Sequence, residues 1–168
     1  SMAGVAGVEP GNFSWTEADI NKFALTEKFA LLIPGGAQHR PDKRWPVEQY
    51  TALIRHLVSR DIQPVLLGGI DELSLLTELA SSDPLAVSLA GRTSIADLFA
   101  LAQKAQIAIG NDTGPMHAAA ASGCKTIVLY SSASDPALCA QRGPDVTILR
   151  EDNLSDITPD RVIDLLEA

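Results

Sequence analysis

Short, unbroken apolar runs alternate along the chain with stretches in which apolar residues recur every three or four positions. The first run, Phe29-Ala30-Leu31-Leu32-Ile33, lacks polar alternation and predicts a strand buried on both faces, as in a parallel sheet. Pro46 follows where a first helical turn tolerates proline, and Val47, Tyr50, Ile54, Leu57 and Val58 then share one helical face. Pro64-Val65-Leu66-Leu67 predicts a second strand closed by Gly68-Gly69, and residues 71–81 a helix with Leu73, Leu76 and Leu79 or Ala80 inward. Ala86–Leu89 reads as a short third strand, and residues 94–104 as a helix with Ile95, Leu98, Phe99 and Ala102 on its apolar side. Ile107-Ala108-Ile109 predicts a strand ended by Gly110, and Pro115–Ser122 a short, alanine-rich helix able to pack close to a sheet. Residues 126–130 and 146–149 predict two more strands, and Thr158-Pro159 opens a last helix carrying Val162, Leu165 and Leu166.

Strands alternating with helices imply right-handed crossovers and an α/β fold: a Rossmann-like parallel sheet of about six strands, with helices on both faces. In such sheets ligands bind beyond the carboxyl ends of the strands, which makes the loops after each strand the places where chemistry is expected. This domain is expected over residues 29–168. Residues 1–28 read as a linker or tail with a short helix, in which Thr16 is the expected N-cap and Asp19 reaches back. The Ser1-Met2 start resembles an expression remnant, and the Gly- and Ala-rich stretch after it reads as a linker to an upstream partner.

Composition narrows the classes. The chain has 168 residues, is 46% hydrophobic and 20% charged, and carries a net charge of -8, which fits one folded domain and excludes a disordered chain. That acidic balance argues against a nucleic-acid surface but leaves room for a local basic pocket. No apolar run approaches the roughly 20 residues of a membrane-spanning helix. Cys124 and Cys139 form neither a disulfide framework nor a metal cage, and Cys124 reads as a small buried hydrophobe in a reducing compartment.

The loop after the first strand runs from Pro34 to Pro46. Gly35 and Gly36 permit close backbone approach, and His39, Arg40, Lys43 and Arg44 concentrate positive charge before a helix start. This suits a phosphate; it equally suits a solvated basic loop with Trp45 as a packing anchor, and the Walker A spacing is absent. After the second strand, Asp71 or Glu72 can accept hydrogen bonds from ribose hydroxyls, or serve as N-cap and first-turn carboxylate. Thr93 and Ser94 can line a base pocket or cap a helix, and His56 reads as a surface residue. Residues 131–135 can face a ligand on composition alone.

The loop after the fourth strand, Gly110-Asn111-Asp112-Thr113-Gly114-Pro115-Met116-His117, is the most specific feature. Asn111 and Asp112 suit a turn, Thr113 offers a hydroxyl, and Gly114 lets backbone approach closely. Pro115 fixes a helix start whose N–H groups point outward, a geometry that can hold a pyrophosphate, with His117 donating to a phosphate oxygen. Asp112 more naturally accepts from sugar hydroxyls or fixes the loop, since it repels phosphate. A helix cap with a partly buried histidine is the plainer alternative. Asp112 and His117 do not make a metal set.

Pro34-Gly35 with Lys43-Arg44-Trp45-Pro46, Leu67-Gly68-Gly69 with Glu72, Leu89-Ala90-Gly91-Arg92-Thr93-Ser94, and the Asp112–His117 string resemble, in order and spacing, the C-terminal half of glycosyltransferase family 9. This is the heptosyltransferase family of lipopolysaccharide core assembly. The resemblance implies a type B glycosyltransferase of two Rossmann-like domains, inverting and metal-independent, with no cofactor beyond a nucleotide-sugar donor, typically ADP-heptose. It implies that Lys43 contacts the donor phosphate, Glu72 the ribose and Thr93 the adenine, that Asp112 faces the donor sugar, and that Thr113, Gly114 and His117 hold the pyrophosphate. Gln38 and His39 depart from the small hydroxyl residues often found before the lysine, so another donor is open. The family's catalytic base and acceptor site belong to an N-terminal domain that nothing in this chain matches, so no catalytic residue is assigned. The resemblance further implies a cytoplasmic enzyme at the inner face of the inner membrane, acting on a lipid-linked glycan acceptor and not on nucleic acid. A non-catalytic Rossmann-like nucleotide-binding module is the alternative. A response-receiver domain is disfavoured because Leu31 to Pro34 offers no acidic cluster.

Overall fold

A computed structural model describes residues 19–35, 44–131 and 145–167. Among them lie six strands: β1 (Phe29–Ile33), β2 (Gln63–Leu66), β3 (Val87–Ser88), β4 (Ile107–Asn111), β5 (Thr126–Tyr130) and β6 (Val146–Arg150). The helices are α1 (Val47–Ser59), α2 (Leu73–Ala80), α3 (Ile95–Lys104), α4 (Gly114–Ala121) and α5 (Pro159–Leu166). The strands form one parallel sheet in the order β3-β2-β1-β4-β5-β6, the Rossmann order whose direction of winding reverses between β1 and β4. A crevice therefore opens where the loops after β1 and β4 diverge to opposite faces.

The unbroken apolarity of the central strands has a direct cause. Ala30 and Leu32 pack with Tyr50, Leu53 and Leu57 of α1 and with Val162 of α5, whereas Phe29, Leu31 and Ile33 pack with Leu101 of α3 and Met116 and Ala119 of α4. Successive residues of a strand point to opposite faces, and here both faces are covered. Gly110 needs its missing side chain: a Cβ there would lie 2.6 Å from the Ile33 carbonyl oxygen on the neighbouring strand.

Several expectations change. β4 continues through Asn111, which is buried in the sheet and is not a turn residue. Leu73 and Ile95, expected inward, are 48% and 75% exposed, because both lie in the first turns of helices that begin beyond the carboxyl edge of the sheet. His56 is a surface residue as expected, in an exposed pair with Glu167 of the C-terminal segment, 2.9 Å from its Nε2. Cys124 is buried, and burial, assisted by Asp145, pushes its thiol up to about 11, so it stays protonated and inert. Cys139 and the expected N-cap Thr16 lie outside the described residues.

Asp19 instead caps a 3-10 turn, Ile20–Phe23, that seats Phe23 in the core beside α3. Lys22 of this turn lies 2.9 Å from Asp97, which also accepts from the Ser94 backbone N–H while the Ser94 hydroxyl accepts from the Asp97 N–H. This capping box satisfies two of the leading amides of α3. Burial opposes the charge on Asp97, but the Ser94 bonds and the Lys22 ammonium outweigh it and hold the carboxyl below the usual carboxylate range. A lowered folded-state pKa contributes stability that is complete above the unfolded value of about 3.9 and is lost as pH falls through the folded one. Asp97→Asn is therefore expected to lower the melting temperature by roughly 3 °C at pH 7, a cap being worth about 1 kcal/mol. Thermal melts from pH 7 to pH 3 should show that difference shrinking. A constant difference would mean that the charge contributes nothing.

Candidate nucleotide site

The crevice predicted by the strand order is a cleft of about 240 Å³ at the carboxyl ends of β1, β2 and β4. Ile33, Leu67, Leu98 and Pro115 give it apolar walls, and Glu72, Thr93 and Thr113 bring polar groups to it. Apolar faces with a few convergent polar groups suit a flat heterocycle attached to a hydroxylated, charged tail. Glu72, Thr93 and Thr113, from three different loops, are thus brought to one place.

Glu72 reaches the cleft because a 3-10 turn, Ile70–Glu72, precedes α2. Asp71 and Glu72 are the first-turn acids of that 3-10 turn, and Glu72, not Asp71, stands at the N-cap position of α2, where its side chain makes no capping bond. The Glu72 carboxylate lies across the backbone of two glycines. A Cβ on Gly35 would sit 2.0 Å from Oε1, and one on Gly68 would sit 2.2 Å from Oε2. The glycines after β1 and β2 are therefore explained by the approach of this acid, one from each loop. Thr93 and Ser94 both line the cleft, and Ser94 also caps α3.

Thr113 is the N-cap residue of α4 in extended conformation, yet its side chain caps nothing. Its buried hydroxyl oxygen has no hydrogen-bond partner among the described residues. Leaving a buried hydroxyl unpaired costs about 1–3 kcal/mol, a cost that a ligand could remove. The leading N–H groups of α4 also lack a side-chain cap, and such groups with the helix dipole attract anions. Gly114 follows, and a Cβ there would meet open space, so the surface at this helix start is accessible to a ligand. His117 stands one turn in, half-exposed, with its Nε2 3.9 Å from an oxygen of the largely buried Asp112. Asp112 thereby helps to hold the imidazole beside the helix start. Lys43 lies outside the described residues, as do Gln38, His39 and Arg40.

The loops after β1 and β4 are joined by a residue that the sequence reading assigned to a turn. Asn111 is fully buried and donates from Nδ2 to the carbonyls of Pro34 (2.7 Å) and Gly35 (3.2 Å). Its Oδ1 accepts from the Trp45 backbone N–H and from the Tyr50 hydroxyl, each at 3.1 Å. Strand alternation carried the missing signal: Asn111 shares a face with Ile107 and Ile109, and that face is buried against α1. Among the described residues no group of three or more His, Cys, Asp or Glu side chains could hold a metal ion, and no helix is long and apolar enough to cross a membrane.

Comparison with known proteins gives the same direction. Residues 11–161 match the family model "Glycosyltransferase family 9 (heptosyltransferase)". Lipopolysaccharide heptosyltransferase 2 of Escherichia coli (strain K12) is 28% identical over an alignment covering 96% of this chain and 52% of that protein. The solved structure of E. coli ADP-heptose lps heptosyltransferase II superposes with a TM-score of 0.80 at 28% identity, over 92% of this chain and 49% of that one. E. coli heptosyltransferase WaaC, solved with ADP, superposes with a TM-score of 0.77 at 25% identity, over 87% of this chain and 46% of that one. The chain spans about half the length of the curated relatives it matches.

Proposed function

Because the chain belongs to glycosyltransferase family 9, the heptosyltransferase family, we propose that it is the donor-binding half of a type B glycosyltransferase, taking a nucleotide sugar of the ADP-heptose kind. The observation that carries this reading is the orphaned Thr113 hydroxyl at the uncapped start of α4, set in the same cleft as the Glu72 carboxylate. A group that accepts many hydrogen bonds belongs at the first; a group that donates them belongs at the second. A nucleoside diphosphate has both, with phosphate oxygens at one end and ribose hydroxyls at the other. The ADP bound to the E. coli relative supports the adenine nucleotide.

In this reading Glu72 accepts from the ribose hydroxyls and Thr93 flanks the base. Thr113, the Gly114 backbone and His117 take the diphosphate, with Lys43 adding charge to the donor phosphate, and Asp112 faces the sugar. As the bond between sugar and diphosphate breaks, negative charge grows on the leaving phosphate. Prearranged N–H groups and the His117 ring N–H stabilise that charge more in the transition state than in the bound donor. The charge is thus met without a metal ion, and displacement from the opposite side inverts the anomeric carbon. The acceptor, a lipid-linked glycan of the lipopolysaccharide core at the cytoplasmic face of the membrane, is activated by a carboxylate outside these residues. General-base catalysis needs such a group within hydrogen-bond reach of the attacking hydroxyl. The chain on its own therefore binds nucleotide and transfers little or no sugar.

Calorimetry with ADP tests the reading. The chain should bind ADP saturably, and His117→Ala should weaken binding about tenfold, as expected for one charge-assisted hydrogen bond. Thr113→Val should weaken it by a similar factor while leaving the melting temperature equal or higher, since it removes an unpaired buried hydroxyl. Millimolar ADP that perturbs neither the heat signal nor the amide resonances of residues 110–117 would refute the proposal.

A further inference from the structure

We propose that Asn111 is a positioning residue of the nucleotide site, fixing the exit of β1 and the entry of α1 against the loop that follows β4. This rests on the nucleotide reading above. A carboxamide has two N–H donors and an oxygen that accepts two bonds, and all four are used here. Three of the four partners are backbone atoms, of Pro34, Gly35 and Trp45, so the side chain fixes where the main chain runs. Those atoms bracket the β1–α1 connection on both sides. One of them belongs to Gly35, which lines the cleft under Glu72. Asn111 itself immediately precedes Asp112 and Thr113 in the chain. One amide thereby sets the distance between the two loops that must grip the same diphosphate.

Chemistry restricts what can replace it. Aspartate keeps the shape and the two acceptors but turns an oxygen toward two carbonyl oxygens. The repulsion would push Pro34 and Gly35 away while leaving the Trp45 bond intact. Tyr50 provides the matched comparison: its hydroxyl donates to Asn111 Oδ1 from the α1 side, a bond between two side chains that holds no main chain. Tyr50→Phe removes one buried bond and spares the three that hold main chain.

The experiment compares Asn111→Asp and Tyr50→Phe for melting temperature, and for ADP affinity by calorimetry well below melting. Both should melt lower, Tyr50→Phe by roughly 3 °C for its one bond and Asn111→Asp by more, since it loses two bonds and buries a charge against carbonyl oxygens. Only Asn111→Asp should lose ADP affinity, by about tenfold or more, whereas Tyr50→Phe stays within about twofold of the unsubstituted chain. A purely structural role would lower both melting temperatures and leave both affinities alone. A folded Asn111→Asp protein with unchanged affinity therefore overturns the inference. So does loss of the folded circular-dichroism signal in both Asn111→Asp and the smaller Asn111→Ser, because the side chain would then hold up the whole domain. Failure of the unsubstituted chain to bind ADP is a different result: it overturns the nucleotide reading itself, and this role falls with it.

Discussion

Gly110→Ala is expected to cost about 3 kcal/mol or more of folding free energy, the upper range for forcing a methyl into a packed core. The added carbon would sit 2.6 Å from the Ile33 carbonyl oxygen and 3.0 Å from both the Ile33 Cβ and the Met116 sulfur. Met116 can swing aside, but the carbonyl belongs to β1, which pairs with β4 along its length. Relief requires the two central strands to separate, and the cleft lies at their carboxyl ends. Urea unfolding followed by circular dichroism measures the loss, and the same protein should bind ADP more weakly even where folded. A midpoint unchanged within error would show that β1 and β4 are looser than their register implies.

The second large effect is expected at Trp45. It is 2% exposed, packs edge-on against the Tyr50 ring at 4.8 Å, and donates from Nε1 to the Ile157 carbonyl at 2.8 Å. Trp45→Ala should cost about 3–5 kcal/mol, combining lost burial, a large cavity and an unpaired carbonyl. Trp45→Phe keeps the ring against Tyr50 and loses the hydrogen bond, so a cost of about 1–2 kcal/mol is expected. Chemical denaturation of both variants separates the two contributions. Equal losses would assign the effect to the hydrogen bond and remove packing from the account. Trp45 is thus the packing anchor that the sequence suggested, and it secures the entry of α1 next to the candidate site.

Much of the architecture was legible because parallel strands leave a plain pattern. The boundaries of β1 and β5 coincide with their apolar runs, since both strands are central and covered on both sides. The location of the cleft followed from topology, and Glu72, Thr93 and Thr113 meet there as their loops predicted. Periodicity failed at the first turns of helices that start beyond the sheet. Ile95 repeats with the core positions of α3 but stands at its first turn, beside the cleft and beyond the sheet. A helical period cannot tell a turn that packs on the sheet from one that projects past its edge. Asn111 was misjudged for the opposite reason. Asparagine is common in turns, and its propensity outweighed the strand alternation that placed it inside. Nor could local pattern find the ion pair of Asp97 with Lys22, whose members lie far apart in the chain, although its bonds with Ser94, three residues away, are local.

The carboxylate resting on two glycines makes the tolerance of these three positions interdependent. Adding a methyl at Gly35 or Gly68 evicts the tip of a long, bendable side chain and leaves the fold intact, so the harm falls on ligand capture and spares solubility and yield. Alanine at either position becomes acceptable only once the acid is shortened or withdrawn. Natural variation here should move as a trio: sequences that abandon the acid are free to abandon the glycines, and those that keep it are not.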